Sequence, residues 1–94
     1  MTRARFVVRG VVQGVNFRAQ AVREAKARGV TGCVWNRADD ALELIAEGDA
    51  ASLAALEAWL ARGPRLARVE SVDRIDLADE KRYSDFAIAY AAPE

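Results

Sequence analysis

Residues 10–18 read Gly10-Val11-Val12-Gln13-Gly14-Val15-Asn16-Phe17-Arg18 and lead from an alternating strand pattern into a helical pattern. Glycine permits the unusual backbone turn that such a connection needs. The first N–H groups of a helix have no intrahelical partners, and the helix dipole adds positive potential at the same end. The segment therefore predicts a concave anion site that is built from the backbone alone.

Arg18 falls in the first turn of the predicted helix, where its guanidinium can reach back and hold two phosphate oxygens at once. The helix dipole favours acidic residues at this position, so a bound anion would offset the misplaced positive charge. Taken singly, a glycine before a helix is usually only a turn, and an exposed arginine usually only solubilises the surface. The segment by itself leaves both interpretations open.

The hydrophobic patterns on either side predict an α+β fold, a ferredoxin-like split β-α-β sandwich in a single domain over residues 1–94. We expect two helices to cover one face of an antiparallel sheet and to leave the other face open. The predicted elements are a strand over 3–12, a helix over 17–28, strands over 31–36 and 41–47, a helix over 50–62, and strands over 67–77 and 85–90.

Helix ends are marked by capping residues. Asn16 and Asp49 stand directly before the two predicted helices and are favoured N-cap residues. Gly29 and Gly63-Pro64 follow the helices and are typical of helix ends. We therefore expect the Asn16 side chain to cap its helix rather than to contact a ligand, and we assign no role to Gln13.

Composition excludes several classes of chemistry. The chain has 14 Lys and Arg against 14 Asp and Glu, no histidine and one cysteine, Cys33. These counts exclude histidine-dependent catalytic triads, the usual His/Cys zinc site and an internal disulfide. Balanced charge gives no overall attraction to nucleic acid, and no stretch is long and apolar enough for a membrane span. Since the first residues lack signal-peptide features, we expect a cytoplasmic protein.

A second segment, Gly32-Cys33-Val34-Trp35-Asn36, combines with residues 10–18 into a pattern that resembles the two signatures of the acylphosphatase family. The first signature matches without exception, and the resemblance extends over nearly the whole chain. The second signature departs at Cys33, where the family usually has an aromatic residue, and at Trp35, where it usually has a basic or small one. Asp40 replaces a turn glycine, and aspartate tolerates the left-handed conformation better than most residues.

The resemblance implies hydrolysis of acyl phosphates, which are mixed anhydrides of a carboxylic acid and phosphate, by a monomer without metal or cofactor. Arg18 and Asn36 are then the catalytic residues, and Asn36 orients the attacking water. Seen alone, Asn36 is more typical of a strand-end residue that caps its own turn. The phosphoryl group would be bound by the Arg18 side chain and by the backbone N–H groups of Gly14, Val15, Asn16, Phe17 and Arg18.

Two alternatives without catalysis share the predicted fold. An RNA-binding domain would use aromatic residues on the open sheet face, but the outward positions carry Glu43, Ile45 and Glu47 instead. A small regulatory or oligomerising module would show no turnover and would self-associate through that face.

The departures at Cys33 and Trp35 carry a structural hypothesis. Residues 33 and 35 lie on the same face of a strand because side chains alternate with a period of two. We expect Trp35 to cover the surface that an aromatic residue at position 33 would otherwise cover, and Cys33 to be a small buried thiol.

Overall fold

The computed structural model describes residues 1–93 as a sheet with two helices, in the element order that the hydrophobic patterns predict. The final strand is shorter than expected and the first ends one residue earlier. In chain order the elements are β1 (Thr2–Val11), α1 (Phe17–Ala27), β2 (Thr31–Asn36), β3 (Leu42–Gly48), α2 (Ala50–Arg62), β4 (Arg68–Asp76) and β5 (Phe86–Ile88). Within residues 1–93 neither helix is long and apolar enough to cross a bilayer.

The five strands lie in the order β4-β1-β3-β2-β5. The pairs β1–β3, β1–β4 and β2–β3 are antiparallel, whereas β5 pairs with β2 in parallel. The fold class is confirmed, but the sheet is mixed rather than wholly antiparallel. The reason is the connection after β4: it leads from one edge of the sheet to the other and enters beside β2 in the direction of that strand.

The main core lies between the sheet and the two helices. Its strand residues include Phe6, Val8, Leu42 and Leu44, and its helical residues include Phe17, Ala21, Ala25, Leu53, Leu56 and Leu60. The ring of Phe17, the first residue of α1, packs edge to face against Trp59 of α2 with centroids 5.5 Å apart. This contact fixes the start of α1 against the second helix, and the cavity described below opens beside it.

The second face of the sheet is covered over β2 and β3, so the expectation of a wholly open face was wrong, whereas Ile75 of β4 on the same face is 56% exposed. Cys33, Trp35 and Ile45 form a buried cluster there, against which Leu77, Tyr83 and Ala89 pack. Leu77 and Tyr83 belong to the connection from β4 to β5, which crosses this part of the face, and Ala89 directly follows β5. The outward positions of β3 that the RNA-binding alternative would use, Glu43, Ile45 and Glu47, are buried.

Glu47 holds this covering segment in place. Its carboxylate is 1% exposed and accepts hydrogen bonds from the backbone N–H groups of Arg82 (2.9 Å) and Tyr83 (3.0 Å). It also pairs with the guanidinium of Arg3 at 3.0 Å. A buried charge is tolerated only when it is paired and hydrogen-bonded. Glu47 therefore ties the covering segment, through its backbone at Arg82 and Tyr83, to Arg3 of β1.

Trp35 provides a direct test of the second cluster because it is only 2% exposed. We expect Trp35→Lys to lower the free energy of unfolding by about 3 kcal/mol or more, since it removes a buried indole and buries an ammonium group. Leu66→Lys is the control: Leu66 is 73% exposed, and such surface changes cost about 0.5 kcal/mol or less. Denaturant unfolding measures both, and equal stability of Trp35→Lys and wild type would contradict the packing described.

Candidate functional site

A cavity of about 140 Å³ opens between the β1–α1 loop and the end of β2. The chain has no histidine, and within residues 1–93 no three Cys, Asp or Glu side chains converge as a metal-binding group requires. Of the predicted site residues only Val15 does not line the cavity, because its side chain packs against the main core. The lining residues are Val12, Gly14, Asn16, Phe17, Arg18, Ala19, Asn36 and Ile88.

The loop backbone turns through two left-handed residues, Gly14 (φ 73°) and Asn16 (φ 64°), before α1 begins. The first backbone hydrogen bond of the helix runs from the Gln20 N–H to the Asn16 carbonyl at 3.3 Å. The backbone N–H groups from position 14 to position 19 donate no hydrogen bond to any acceptor within residues 1–93. Successive unpaired N–H groups at a helix N-terminus are an arrangement that binds anions in proteins, and anion binding by this loop stays a prediction.

Asn16 occupies the N-cap position of α1, but its side chain makes no capping hydrogen bond. The expectation of a side-chain cap was therefore wrong. Side-chain capping requires an extended backbone at the N-cap, and Asn16 is left-handed instead. Asp49 has the extended conformation (φ −74°, ψ 161°) and caps α2 by accepting the Ser52 N–H at 2.7 Å. The Asn16 side chain is left free to line the cavity.

Arg18 is half-buried at the cavity, and its guanidinium lies 5.6 Å from the ring centroid of Tyr90. Within residues 1–93 no carboxylate lies within ion-pair distance of Arg18, whereas Arg3, Arg5 and Arg37 all pair with acidic side chains. Tyr90 is 85% exposed and lies beyond the end of β5. The Arg18 guanidinium is therefore held against an aromatic ring with its charge available to an anion.

Asn36 is the last residue of β2, and its side-chain Oδ1 is buried without a hydrogen-bond partner among residues 1–93. Leaving such an oxygen unsatisfied costs about 1–3 kcal/mol, so it calls for a water or a ligand as partner. The alternative in which Asn36 caps its own turn is not observed. Asp39 does this instead, by accepting the Ala41 N–H at 3.3 Å.

Gln13 connects the loop to the β2–β3 turn. Its Nε2 group donates to the carbonyl of Arg37 at 2.9 Å and to the carbonyl of Ala41 at 3.0 Å. This contact could not be predicted from the sequence, because the acceptors lie 24 and 28 residues away and are backbone atoms, which any residue type supplies.

A row of charged side chains braces the same turn. Asp39 accepts hydrogen bonds from Arg37 at 3.0 Å and from Arg9 at 3.2 Å, and Arg37 also bonds to Glu43 at 3.1 Å. The hydrogen bond from Arg37, assisted by the one from Arg9, lowers the pKa of Asp39 to about 2. Asp40 adopts the left-handed conformation (φ 70°) expected where it replaces a turn glycine.

Comparisons with known proteins agree over nearly the whole chain. A sequence model of the acylphosphatase family, described as Acylphosphatase, matches residues 4–88. An acylphosphatase from Methylococcus capsulatus is 48% identical over 88 residues, which cover 94% of this chain and 96% of that protein. The crystal structure of acylphosphatase from Bacillus subtilis is similar with a TM-score of 0.92 at 31% identity, over 96% of this chain and 100% of that one. An acylphosphatase structure from Coxiella burnetii gives 0.89 at 36% identity, over 94% and 92%.

The lowered pKa of Asp39 predicts how acid affects the turn. Because the pKa is depressed on folding, the ionised carboxylate stabilises the native state above about pH 4, and this contribution is lost as the pH falls towards about 2. We expect Asp39→Asn to show a smaller loss of unfolding free energy across this interval than wild type. Denaturant titrations at several pH values measure the difference.

Asp73→Asn is the control for the change in net charge, because Asp73 makes no ion pair within residues 1–93. The same pH dependence in Asp39→Asn and in wild type would contradict the assigned role of Asp39.

Proposed function

Because this chain belongs to the acylphosphatase family, we propose that it hydrolyses acyl phosphates in the cavity between the β1–α1 loop and Asn36. The reaction releases a carboxylate and inorganic phosphate and makes the protein a hydrolase acting on acid anhydrides. The observation that carries the proposal is the convergence on one cavity of unpaired backbone N–H groups, an arginine without an ion pair within residues 1–93 and the side chain of Asn36.

The phosphoryl group binds at the N-terminus of α1. Its oxygens accept hydrogen bonds from the loop N–H groups, which have no competing acceptor among residues 1–93. Arg18 adds a charge-assisted contact, and its planar guanidinium can hold two phosphate oxygens. A bound dianion also offsets the unfavourable position of Arg18 in the first helical turn. Binding and charge balance therefore favour the same ligand.

Asn36 orients the attacking water. The water forms a hydrogen bond with the side-chain amide of Asn36, which directs an oxygen lone pair of the water towards the phosphorus. A bond forms between the water oxygen and phosphorus while the bond from phosphorus to the acyl oxygen breaks. The bonding electrons leave with the carboxylate, and the water proton passes to a phosphate oxygen of the substrate.

Such a reaction needs no neutral-pH acid or base. A departing carboxylate has a conjugate-acid pKa of about 4, so it leaves without being protonated. Phosphoryl transfer spreads charge over the equatorial oxygens, and fixed donors aimed at that charge supply most of the rate acceleration. The absence of histidine from the sequence is compatible with this chemistry.

Hydrolysis of an aromatic acyl phosphate in the presence of a chelator tests the proposal. We expect metal-independent turnover by wild type, and a fall of about 10²–10³ in Arg18→Ala, because an essential donor to the transferred group is removed. Asn36→Ala should lower kcat by a similar factor with little change in KM, because Asn36 contacts the water rather than the phosphate.

Arg23→Ala is the matched control, since Arg23 is an exposed arginine on the same helix and does not line the cavity. It should retain wild-type kinetics. Full activity of folded Arg18→Ala, or no turnover by wild type, would refute the proposal.

A further inference from the structure

We propose that Gln13 is a positioning residue that keeps the phosphate-binding loop in register with Asn36. This inference rests on the proposed function, since it concerns how the two halves of that site are aligned. Gln13 itself does not line the cavity. It acts through the turn that follows Asn36.

The two halves of the cavity belong to strands that are not neighbours in the sheet. The loop follows β1 and Asn36 ends β2, and β3 lies between these strands. Two strand spacings separate them by about 10 Å. Leu42 of β3 pairs with Val8 of β1 and with Asn36 of β2, so the sheet aligns Asn36 with Val8. The pairing of β1 with β3 ends at Val8, and the loop begins only after Val11. A contact beyond this pairing ties the loop directly to the backbone beside Asn36.

Gln13 makes that contact with one amide group. Its two acceptors, the carbonyls of Arg37 and Ala41, belong to residues that are themselves bonded across the turn, from the Arg37 N–H to the Ala41 carbonyl at 2.8 Å. Arg37 directly follows Asn36 in the chain. A displacement of the Gln13 amide therefore moves the backbone next to Asn36 relative to the loop.

The second brace of this turn does not replace Gln13. Arg9 reaches Asp39 at 3.2 Å, but both side chains are more than two-fifths exposed, and exposed ion pairs contribute little to rigidity or stability. The Gln13 bonds are partly buried and join side chain to backbone. They are the stiffer of the two connections.

A shift of the β2–β3 turn should affect kcat and phosphate binding differently. The phosphate-binding residues are contiguous from position 14 to position 19 and keep their geometry relative to one another when the turn shifts. Asn36, which orients the water, moves with the turn. Because a misplacement of about 1 Å can cost about 100-fold in rate, we expect Gln13→Met to lower kcat by about 10- to 100-fold. The inhibition constant for inorganic phosphate should change by about threefold or less, which is about 0.6 kcal/mol or less.

Gln13→Glu supplies a rescue that a merely structural role would not give. The introduced carboxylate has the same shape as the amide but cannot donate to the two carbonyls, whereas the protonated acid can donate to one of them. Relative to wild type, kcat of this variant should rise as the pH falls through the pKa of the introduced carboxyl, at about 4.3 or higher.

Gln20→Met is the matched control, because Gln20 is the other glutamine of the chain, lies on α1 and does not line the cavity. It should have wild-type kcat. Thermal unfolding of all variants separates a loss of fold from a loss of alignment, and the pH profile of Gln13→Glu remains informative if Gln13→Met is unstable.

The experiment separates failure of this inference from failure of the proposed function. Absence of turnover in wild type refutes the proposed function. The positioning role is then still decided by titrating the protein with inorganic phosphate and monitoring the NMR signals of the Asn36 side-chain amide. These signals should shift in wild type and shift much less in Gln13→Met. The inference is overturned if Gln13→Met keeps wild-type kcat, if phosphate inhibition weakens in parallel with kcat, or if the Asn36 signals respond to phosphate equally in both proteins.

Discussion

The unpaired backbone N–H groups at the start of α1 are the constraint on which the site depends. They are unpaired because Gly14 and Asn16 are left-handed, and because the first helical hydrogen bond forms only at the Gln20 N–H. Phe17 anchors this conformation in the main core, where it is 1% exposed and packs against Trp59 of the second helix. The main core thus supports a strained, partly unsatisfied loop, as is common where a binding site needs donors fixed in advance.

The positive charge at the candidate site comes from local groups and not from the net charge of the protein. The chain has no net charge, and many of its arginines are paired with carboxylates, as in the row that links Arg5, Glu43 and Arg37. Arg18 has no such partner among residues 1–93 and lies beside the N–H groups. In the proposed site, an anionic substrate would be attracted by these groups at the start of α1 and not by a net charge of the protein. The proposed mechanism likewise relies on fixed hydrogen-bond donors and a good leaving group in place of a titrating side chain.

Much of the fold could be predicted because it follows from short-range patterns. The alternation of apolar and polar residues predicted the strands. Asp49 predicted the start of the second helix, and Gly29 and Gly63 predicted where the two helices end. The sequence also predicted Arg18 and Asn36 for one site, which the structure brings to one cavity; their roles stay predictions. What could not be predicted depends on distant backbone atoms or on the path of a long connection. These cases are the covering of the second face over β2 and β3, the parallel pairing of β5, the uncapped state of Asn16 and the two hydrogen bonds of Gln13.

The most direct test of the account is a crystal structure of the protein with inorganic phosphate. We expect a phosphate ion in the cavity, with its oxygens within hydrogen-bond distance of the N–H groups that follow Gly14 and of the Arg18 guanidinium. We also expect a water bound to the side-chain amide of Asn36, on the opposite side of the phosphorus from the oxygen that stands for the leaving group. Phosphate bound elsewhere on the surface, with the loop N–H groups and Arg18 unoccupied at saturating concentration, would contradict it.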